Sequence, residues 1–224
     1  MSLSYQVIYS KRKTLGIFVE RDKSIVVRVP EGTPKHTVDE VVNQKKAWIY
    51  DKLGHQQKYH RISDSKEFIS GEYLMYLGEN YQLKVTPKKF DGVVFDNDFI
   101  ISVHNKPKAK EIFKSWFKSI GIKVISNKVD YYATHLGVKY KSIKLSEMKY
   151  RWGSCTVAGV LTFNWRIIKA PVFVIDYIIV HELAHLIHLN HSNDFWNTVA
   201  IQQPNFEKAK NWLKENGKIL EADF

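Results

Sequence analysis

The chain cannot form an internal disulfide bond, because its 224 residues include one cysteine, Cys155. This absence is typical of a protein from a reducing compartment, so we expect a cytoplasmic location. The first residues lack a basic segment followed by an apolar one, and no secretory signal is predicted. No apolar run has the length of a membrane span, since the longest candidate, residues 172–180, is interrupted by Asp176.

Acidic residues are fewer than basic ones: 23 Asp and Glu stand against 34 Lys and Arg, which gives a net charge of +11. A basic surface attracts nucleic acid, nucleotides or acidic proteins. The lysines are scattered rather than gathered in one stripe, and no known nucleic-acid-binding motif is present. We therefore interpret the charge as a solvated surface and keep nucleic acid as an alternative partner.

The first hundred residues are predicted to be rich in strands, because β-branched and aromatic residues occur in short runs between turn residues. The predicted strands are 5–9, 15–20, 25–29, 73–77, 81–86, 93–95 and 99–103. One helix should interrupt them, with Thr37 and Glu40 at capping-box spacing and apolar residues from Val38 to Leu53 at helical intervals. A long helix should follow Pro107 and end at Gly137.

The second half has a different pattern. Short strands are predicted at 143–145 and 150–155, and residues 160–168 alternate between apolar and polar positions as a longer strand would. Pro171 opens a helix that should run to about Asn190 and be buried, since it is apolar on most sides. Two shorter helices should follow, capped by Ser192 and Asn205, with the last ending near Gly217.

These patterns predict an α+β fold with a soft boundary near residue 105. Residues 1–105 would form an antiparallel, β-rich subdomain, and residues 106–224 a mainly helical subdomain. The two parts also fit a single compact domain.

Four histidines lie within residues 181–191, and two of them have metal-ligand spacing. His181 and His185 are one helical turn apart, so both imidazoles point the same way and can reach one Zn²⁺ at about 2.0–2.1 Å. Glu182, beside the first ligand, is placed to take a proton from a metal-activated water. An apolar helix would not hold an ionised glutamate without such a reason. We predict one zinc ion per chain, with Glu182 as the general base.

The third ligand is less constrained. His191 has the spacing of a third zinc ligand in the extended motif H-E-x-x-H-x-x-G-x-x-H, but an unbroken helix would rotate it about 280° from His181. The helix must therefore end first, and Asn190 is a candidate for a left-handed turn. His188 is the rival, although it lies about 10 Å along the axis from His181. Glu207 is a further alternative.

Four other residues are candidates for supporting roles. Asn164 and Arg166 lie on the polar side of the predicted strand 160–168 and are candidate substrate-binding residues, with a solvated strand face as the alternative. Cys155 would approach the metal as a thiolate or pack as a small apolar residue, and packing is favoured. Asp176 would orient a ligand imidazole or cap its helix.

The ordered motifs of this half resemble those of the YgjP-like metallopeptidase family, which is related to the SprT-like and WLM proteases. The resemblance rests on residues 151–155, 161–166, 170–171, 175–177, 181–185, 190–192 and 195–196, together with 47–49 and 76–78. It implies a zincin-like catalytic half with a strand, assigned to residues 160–168, at the edge of the cleft. It also implies His181, His185 and His191 as ligands and Glu182 as base.

Three functions remain in competition. The leading hypothesis is zinc-dependent hydrolysis of a peptide bond in a peptide or protein. The second is hydrolysis of a nucleoside triphosphate at a phosphoanhydride bond, but the chain lacks a Gly-rich phosphate loop and a carboxylate cluster suited to Mg²⁺. The third is a protease associated with nucleic acid, for which the sequence offers neither a zinc ribbon nor a recognised motif.

Overall fold

The computed structural model describes residues 3–19, 24–54, 66–148 and 151–221. The chain divides into two compact units, Met1–Lys58 and Tyr59–Phe224, and the predicted boundary at 105 falls inside the second. Part of the predicted strand 15–20, the turn after it and the start of the predicted strand 150–155 lie outside the described residues. No described helix is long and apolar enough to cross a membrane.

The described residues of the first unit form a three-stranded sheet and two helices. Strands β1 (Gln6–Ser10), β2 (Gly16–Val19) and β3 (Ile25–Pro30) pair in the order β1-β3-β2, and helices α1 (Lys35–Gln44) and α2 (Lys46–Gly54) follow. Val27 and Val29 of β3 form a core with Val38, Val42 and Ile49 of the helices. The single predicted helix is wrong in two respects: it is divided at Lys45, and Thr37 lies inside α1 and does not cap it.

The second unit begins with four strands, which confirm the predicted ones. They are β4 (Tyr73–Tyr76), β5 (Glu79–Thr86), β6 (Val93–Asp96) and β7 (Asp98–Ser102), paired in the order β4-β5-β7-β6. The turn between β4 and β5 places Leu77 and Gly78 at positive φ, as tight hairpins require. A side chain at Gly78 would also collide with Pro171, because an added Cβ would lie 2.7 Å from the Pro171 Cα.

The predicted α+β class is confirmed, but the pairing is mixed rather than purely antiparallel. Strands β2 and β3, β4 and β5, and β6 and β7 are antiparallel, whereas β1 pairs with β3, and β5 with β7, in parallel. Sequence alternation shows which face of a strand is buried and not the direction of its neighbour, so the parallel pairs were not foreseeable.

A 28-residue helix, α3 (Ala109–Leu136), spans the second unit and ends at Gly137 in the left-handed conformation, as predicted. Its buried face includes Phe113, Phe117 and Ile125. Gly121 lies at the middle of this face, where the place of its missing side chain is 3.5 Å from Leu145 and 3.7 Å from Ile168. An added Cβ at Gly121 would therefore make ordinary van der Waals contact with the next layer.

A second three-stranded sheet connects α3 to the remaining helices. Strands β8 (Ser142–Ser146), β9 (Gly153–Cys155) and β10 (Val160–Asn164) pair in the order β8-β10-β9, so β10 is central. The predicted strand 160–168 is too long: residues Trp165–Lys169 form a 3-10 helix, with the Asn164 side chain accepting a hydrogen bond from the Arg166 backbone. The edge strand that contacts the next helix is β9, and the assignment of residues 160–168 to that place is wrong.

The last three helices are α4 (Val172–Ala184), α5 (Asn193–Gln202) and α6 (Phe206–Glu221). Helix α4 is buried on most sides, as predicted. Ser192 caps α5, as predicted, by accepting a hydrogen bond from the Phe195 backbone. Two predicted ends are wrong, since α4 stops at Ala184, well before Asn190, and α6 continues past Gly217 to Glu221.

Candidate metal centre

Three histidines converge at the end of α4. The ligand atoms of His181, His185 and His191 all lie within 4.8 Å of one another. The Nε2 atoms of His181 and His191 are 3.1 Å apart. Two ligands at about 2.0–2.1 Å from one ion in tetrahedral geometry would be about 3.3 Å apart, so this spacing suits a shared metal.

The chain brings His191 to the other two by ending α4 early. The turn after Ala184 is closed by backbone hydrogen bonds between residues three apart. The Leu186 N–H donates to the Leu183 carbonyl, and the Ile187 N–H donates to the Ala184 carbonyl. The requirement that the helix stop before His191 is thus met, but Asn190 does not adopt the left-handed conformation. Its side-chain oxygen instead accepts a hydrogen bond from the Ser192 backbone, which leads the chain directly into α5.

The rival ligands occupy other positions. The His188 Nε2 atom lies 3.0 Å from the Thr198 hydroxyl, away from the three-histidine cluster. The His188 carbonyl accepts a hydrogen bond from His185 Nδ1 at 3.1 Å, which leaves Nε2 of His185 as the atom able to bind a metal. Glu207 pairs with Lys210 at 2.7 Å and is not part of the cluster.

Aromatic side chains surround the three imidazoles. The ring of Phe195, which is fully buried, lies 4.9, 4.7 and 4.7 Å from the rings of His181, His185 and His191. Trp196 stacks on His191 at 5.7 Å. The sequence placed Phe195 and Trp196 on an apolar helix face but gave no sign that they support the ligands, because the contact depends on how the turn after α4 brings α5 against the histidines.

The electrostatics favour neutral imidazoles, the form that binds metals. Burial lowers the pKa of His181 to about 3, and the positive charges of His185, His191 and Lys210 act in the same direction. Burial and the neighbouring His185 also lower the pKa of His191. Three neutral nitrogen donors suit Zn²⁺ and other divalent transition metals, so the residues present fit a metal ion.

Glu182 is buried beside this cluster and packs against β9. A Cβ added to Gly153 would lie 2.5 Å from the Glu182 Oε1 atom, so only glycine allows the backbone of β9 to approach this closely. Burial raises the pKa of Glu182 to about 7, while the positive charge of Arg151 acts in the opposite direction. A carboxyl group with a pKa near neutrality is suited to accept and return a proton.

Cys155 follows Gly153 on β9. Burial, with a smaller contribution from the Glu182 charge, raises the pKa of the Cys155 thiol to about 11. The thiol donates a weak hydrogen bond to the Thr156 carbonyl. Cys155 is therefore a neutral, half-buried thiol outside the histidine cluster, which agrees with the packing role favoured from the sequence.

Asn164 and Arg166, the candidate substrate-binding residues, are both buried. The Asn164 amide donates to the Met148 carbonyl at 2.8 Å, and its oxygen accepts from the Arg166 backbone. The Arg166 guanidinium donates to Glu147 at 2.7 Å and lies over the Trp165 ring. These contacts join Asn164 and Arg166 to residues 147–148, and the substrate-binding role stays a prediction. Asp176 pairs with Lys128 at 2.8 Å.

The comparison with known families covers most of the chain. A sequence model of the YgjP-like metallopeptidase domain matches residues 13–216. The chain belongs to the YgjP-like metallopeptidase family. This membership confirms the resemblance read from the motifs, and it supports a metal-dependent hydrolase that acts on peptides or proteins.

Solved structures similar to this YgjP-like chain include two archaeal metallopeptidase zymogens. Abylysin of Pyrococcus abyssi is 22% identical, with a TM-score of 0.39 over 45% of this chain and 98% of its own. Jannalysin of Methanocaldococcus jannaschii is 24% identical, with a TM-score of 0.37 over 42% of this chain and 96% of its own. No curated protein sequence matches the chain.

Proposed function

We propose that the protein is a zinc-dependent peptidase in which His181, His185 and His191 hold one metal ion and Glu182 is the general base. The observation that carries this proposal is the convergence of three imidazoles at the end of α4, the helix that also carries the buried Glu182 carboxylate. Three protein ligands leave a coordination position for water or substrate, as in catalytic zinc sites.

Each side chain has a distinct task. A zinc ion at this site would polarise the substrate carbonyl and acidify a water molecule. Glu182 accepts the proton of the attacking water and returns it to the nitrogen of the departing amine. Burial keeps Glu182 away from bulk water, and the Gly153 backbone limits the directions in which its carboxylate can turn.

The His185 imidazole is oriented by its hydrogen bond to the His188 carbonyl. Phe195 forms an apolar support beneath all three rings and excludes water from that side. The site therefore combines fixed nitrogen donors with a protected base, and both are needed for metal-assisted hydrolysis.

A comparison of wild type with Glu182→Gln tests this function. Both proteins are reconstituted with zinc and incubated with a library of quenched fluorescent peptides and, separately, with nucleoside triphosphates. Glu215→Gln, the same change at an exposed position on α6, is the control. We expect peptide cleavage by wild type and the control, and a loss of about 10²-fold or more in kcat for Glu182→Gln, with its zinc content unchanged.

Two results would contradict the proposal. Peptide cleavage by zinc-loaded Glu182→Gln at the wild-type rate would remove Glu182 from the mechanism. Hydrolysis of triphosphates without any peptide cleavage would favour the nucleotide hydrolase instead.

A further inference from the structure

A cavity of about 500 Å³ lies beside the end of α4 and has no part in the mechanism proposed above. Its walls are the segments 138–141 and 157–159, together with Leu186. We call this cavity the side pocket. Leu186 directly follows the proposed ligand His185, so one wall of the side pocket belongs to the turn that completes the metal centre.

The side pocket carries positive charge. Lys139 and Lys141 are exposed, whereas Val138 and Tyr140, which alternate with them, pack against the core. Within the part of the chain that the structure describes, neither ammonium group has a hydrogen bond or an ion pair. No acidic residue lines the side pocket, and Asp130 of the adjoining cavity accepts a hydrogen bond from Tyr140. Both cations are therefore available to a ligand.

Backbone hydrogen bonds fix the walls that carry these lysines. The Lys141 N–H donates to the Gly159 carbonyl at 2.8 Å, which joins the first segment to the turn after β9. The Val138 N–H donates to the Ala133 carbonyl at 3.0 Å and ties the same segment to the end of α3. The two side chains thus start from fixed positions, which reduces the entropy lost when they bind a ligand.

The open edge of β9 leads from the metal centre to the side pocket. Strand β9 pairs with β10 on one side, and the described residues form no strand on its other side. The Thr156 N–H donates to the Val160 carbonyl of β10 at 3.1 Å. Because bonded and non-bonded positions alternate in an antiparallel pair, the backbone groups of Gly153 and Cys155 point away from β10. They are available to the backbone of an extended peptide.

The length of this edge sets the reach of a substrate. Gly153 lies against Glu182, and Val157, four residues later, lies in the wall of the side pocket. Four residues of extended chain span about 13 Å. A peptide that lies along β9 with its scissile bond beside Glu182 would therefore reach the side pocket about three or four residues away from that bond.

The side chains of the pocket suit a carboxylate on a short aliphatic stem. Ammonium groups donate hydrogen bonds to carboxylate oxygens, and the opposite charges strengthen these bonds. Val157 is 90% exposed and Leu186 is half-buried, so both offer apolar surface to the methylene groups of a ligand. Peptides carry such carboxylates on acidic side chains and at their C-terminus.

We propose that the side pocket is a substrate subsite in which Lys139 and Lys141 bind a carboxylate of the peptide about three or four residues from the scissile bond. This inference rests on the proposed peptidase function and names its substrate class, peptides with a carboxylate at that distance. The carboxylate belongs to an acidic side chain or to the end of the substrate chain.

The test measures kcat/KM for matched peptides that carry Glu, Gln or Lys at each of the four positions on either side of the scissile bond. Each peptide is prepared with a free and with an amidated C-terminus. Wild type is compared with the double variant Lys139→Glu, Lys141→Glu. The control is the double variant Lys123→Glu, Lys144→Glu, which makes the same charge change at two exposed lysines outside the side pocket. Zinc content is measured for all three proteins and should be equal.

We expect wild type to prefer Glu over Gln by about 3–10-fold in kcat/KM at one such position, as exposed ion pairs with two lysines would give. The Lys139→Glu, Lys141→Glu variant should instead prefer Lys over Gln there, and the control should keep the wild-type order. High salt should reduce the wild-type preference, because exposed charges are screened. A preference for the free C-terminus, lost in the same variant, would assign the carboxylate to the chain end.

Equal kcat/KM for the Glu and Gln peptides and for both forms of the C-terminus would overturn the inference and leave the peptidase proposal intact. An acidic preference that persists in Lys139→Glu, Lys141→Glu would also overturn it, because the carboxylate would then bind elsewhere. If zinc-loaded wild type cleaves no peptide, the proposed function fails and the inference falls with it.

Discussion

The backbone of Gly153 lies against the carboxylate of Glu182, with 2.5 Å between the place of an added Cβ and Oε1. Gly153→Ala should therefore displace Glu182 from its position beside the histidines. We expect kcat to fall by about 10²-fold, since small displacements of a catalytic group have effects of this size. Peptide cleavage and zinc content, measured on the same preparation, check this.

Gly121→Ala is the control for this substitution, because an added Cβ there would be in ordinary contact, 3.5 Å from Leu145. It should keep full activity and gain about 0.5–1 kcal/mol in unfolding free energy from better helix propensity. Equal activity of both alanine variants would show that the contact with Gly153 does not position Glu182.

Phe195 supports all three imidazoles, so its replacement should weaken metal binding. Phe195→Leu keeps an apolar side chain but removes the flat ring that lies 4.7 Å from His185 and His191. We expect zinc affinity to fall about 10–100-fold, as is typical when groups behind metal ligands are changed. Competition with a chromophoric chelator measures the affinity.

Phe99→Leu is the control variant, because it makes the same change at a fully buried position of β7 and so loses core packing without touching the histidines. It should destabilise the protein without changing zinc affinity. The same affinity change in both variants would mean that Phe195 acts only through general stability.

The ionised Glu147 carboxylate should stabilise the folded protein at pH values above those at which a glutamate normally titrates. Hydrogen bonds from Lys114 and Arg166 lower the pKa of Glu147 to about 2, from an ordinary value of 4.5. A lowered folded-state pKa means that the stabilisation is complete above pH 4.5 and is lost as the pH falls through about 2. Because the Glu147 carboxylate is partly exposed, solvent screening limits the effect to about 1 kcal/mol.

Urea unfolding of wild type and Glu147→Gln between pH 2 and 7 measures this effect. The wild type should be the more stable at pH 6, and the difference should shrink in acid as Glu147 is protonated. A difference that stays constant down to pH 2 would contradict an electrostatic origin.

The local parts of the site were predictable from the sequence. Two histidines four residues apart on an apolar helix predict a shared direction, whatever the rest of the fold does. The need for the helix to end before His191 followed from the same geometry. The way in which it ends did not follow, because the turn depends on the His185 contact with the His188 carbonyl and on the Asn190 side chain.

Features that depend on tertiary contacts could not be predicted from the sequence, for physical reasons. Residues 160–168 alternate like a strand, but beyond Asn164 both apolar and polar side chains are buried, and a 3-10 helix satisfies the backbone there. The contact of Gly153 with Glu182 joins distant segments, so no spacing in the sequence encodes it. The support given by Phe195 depends on the turn between α4 and α5, whose path the sequence did not reveal. The same is true of the parallel strand pairs.

Zinc affinity of His191→Ala against His188→Ala tests the central claim most directly, because both substitutions remove one imidazole from the same turn. Wild type should bind one zinc ion per chain, and His191→Ala, which removes a ligand, should lose about 10²-fold or more in affinity. His188→Ala should stay close to wild type, since its backbone carbonyl still holds His185. Wild-type affinity in His191→Ala together with a loss in His188→Ala would contradict the proposed metal centre.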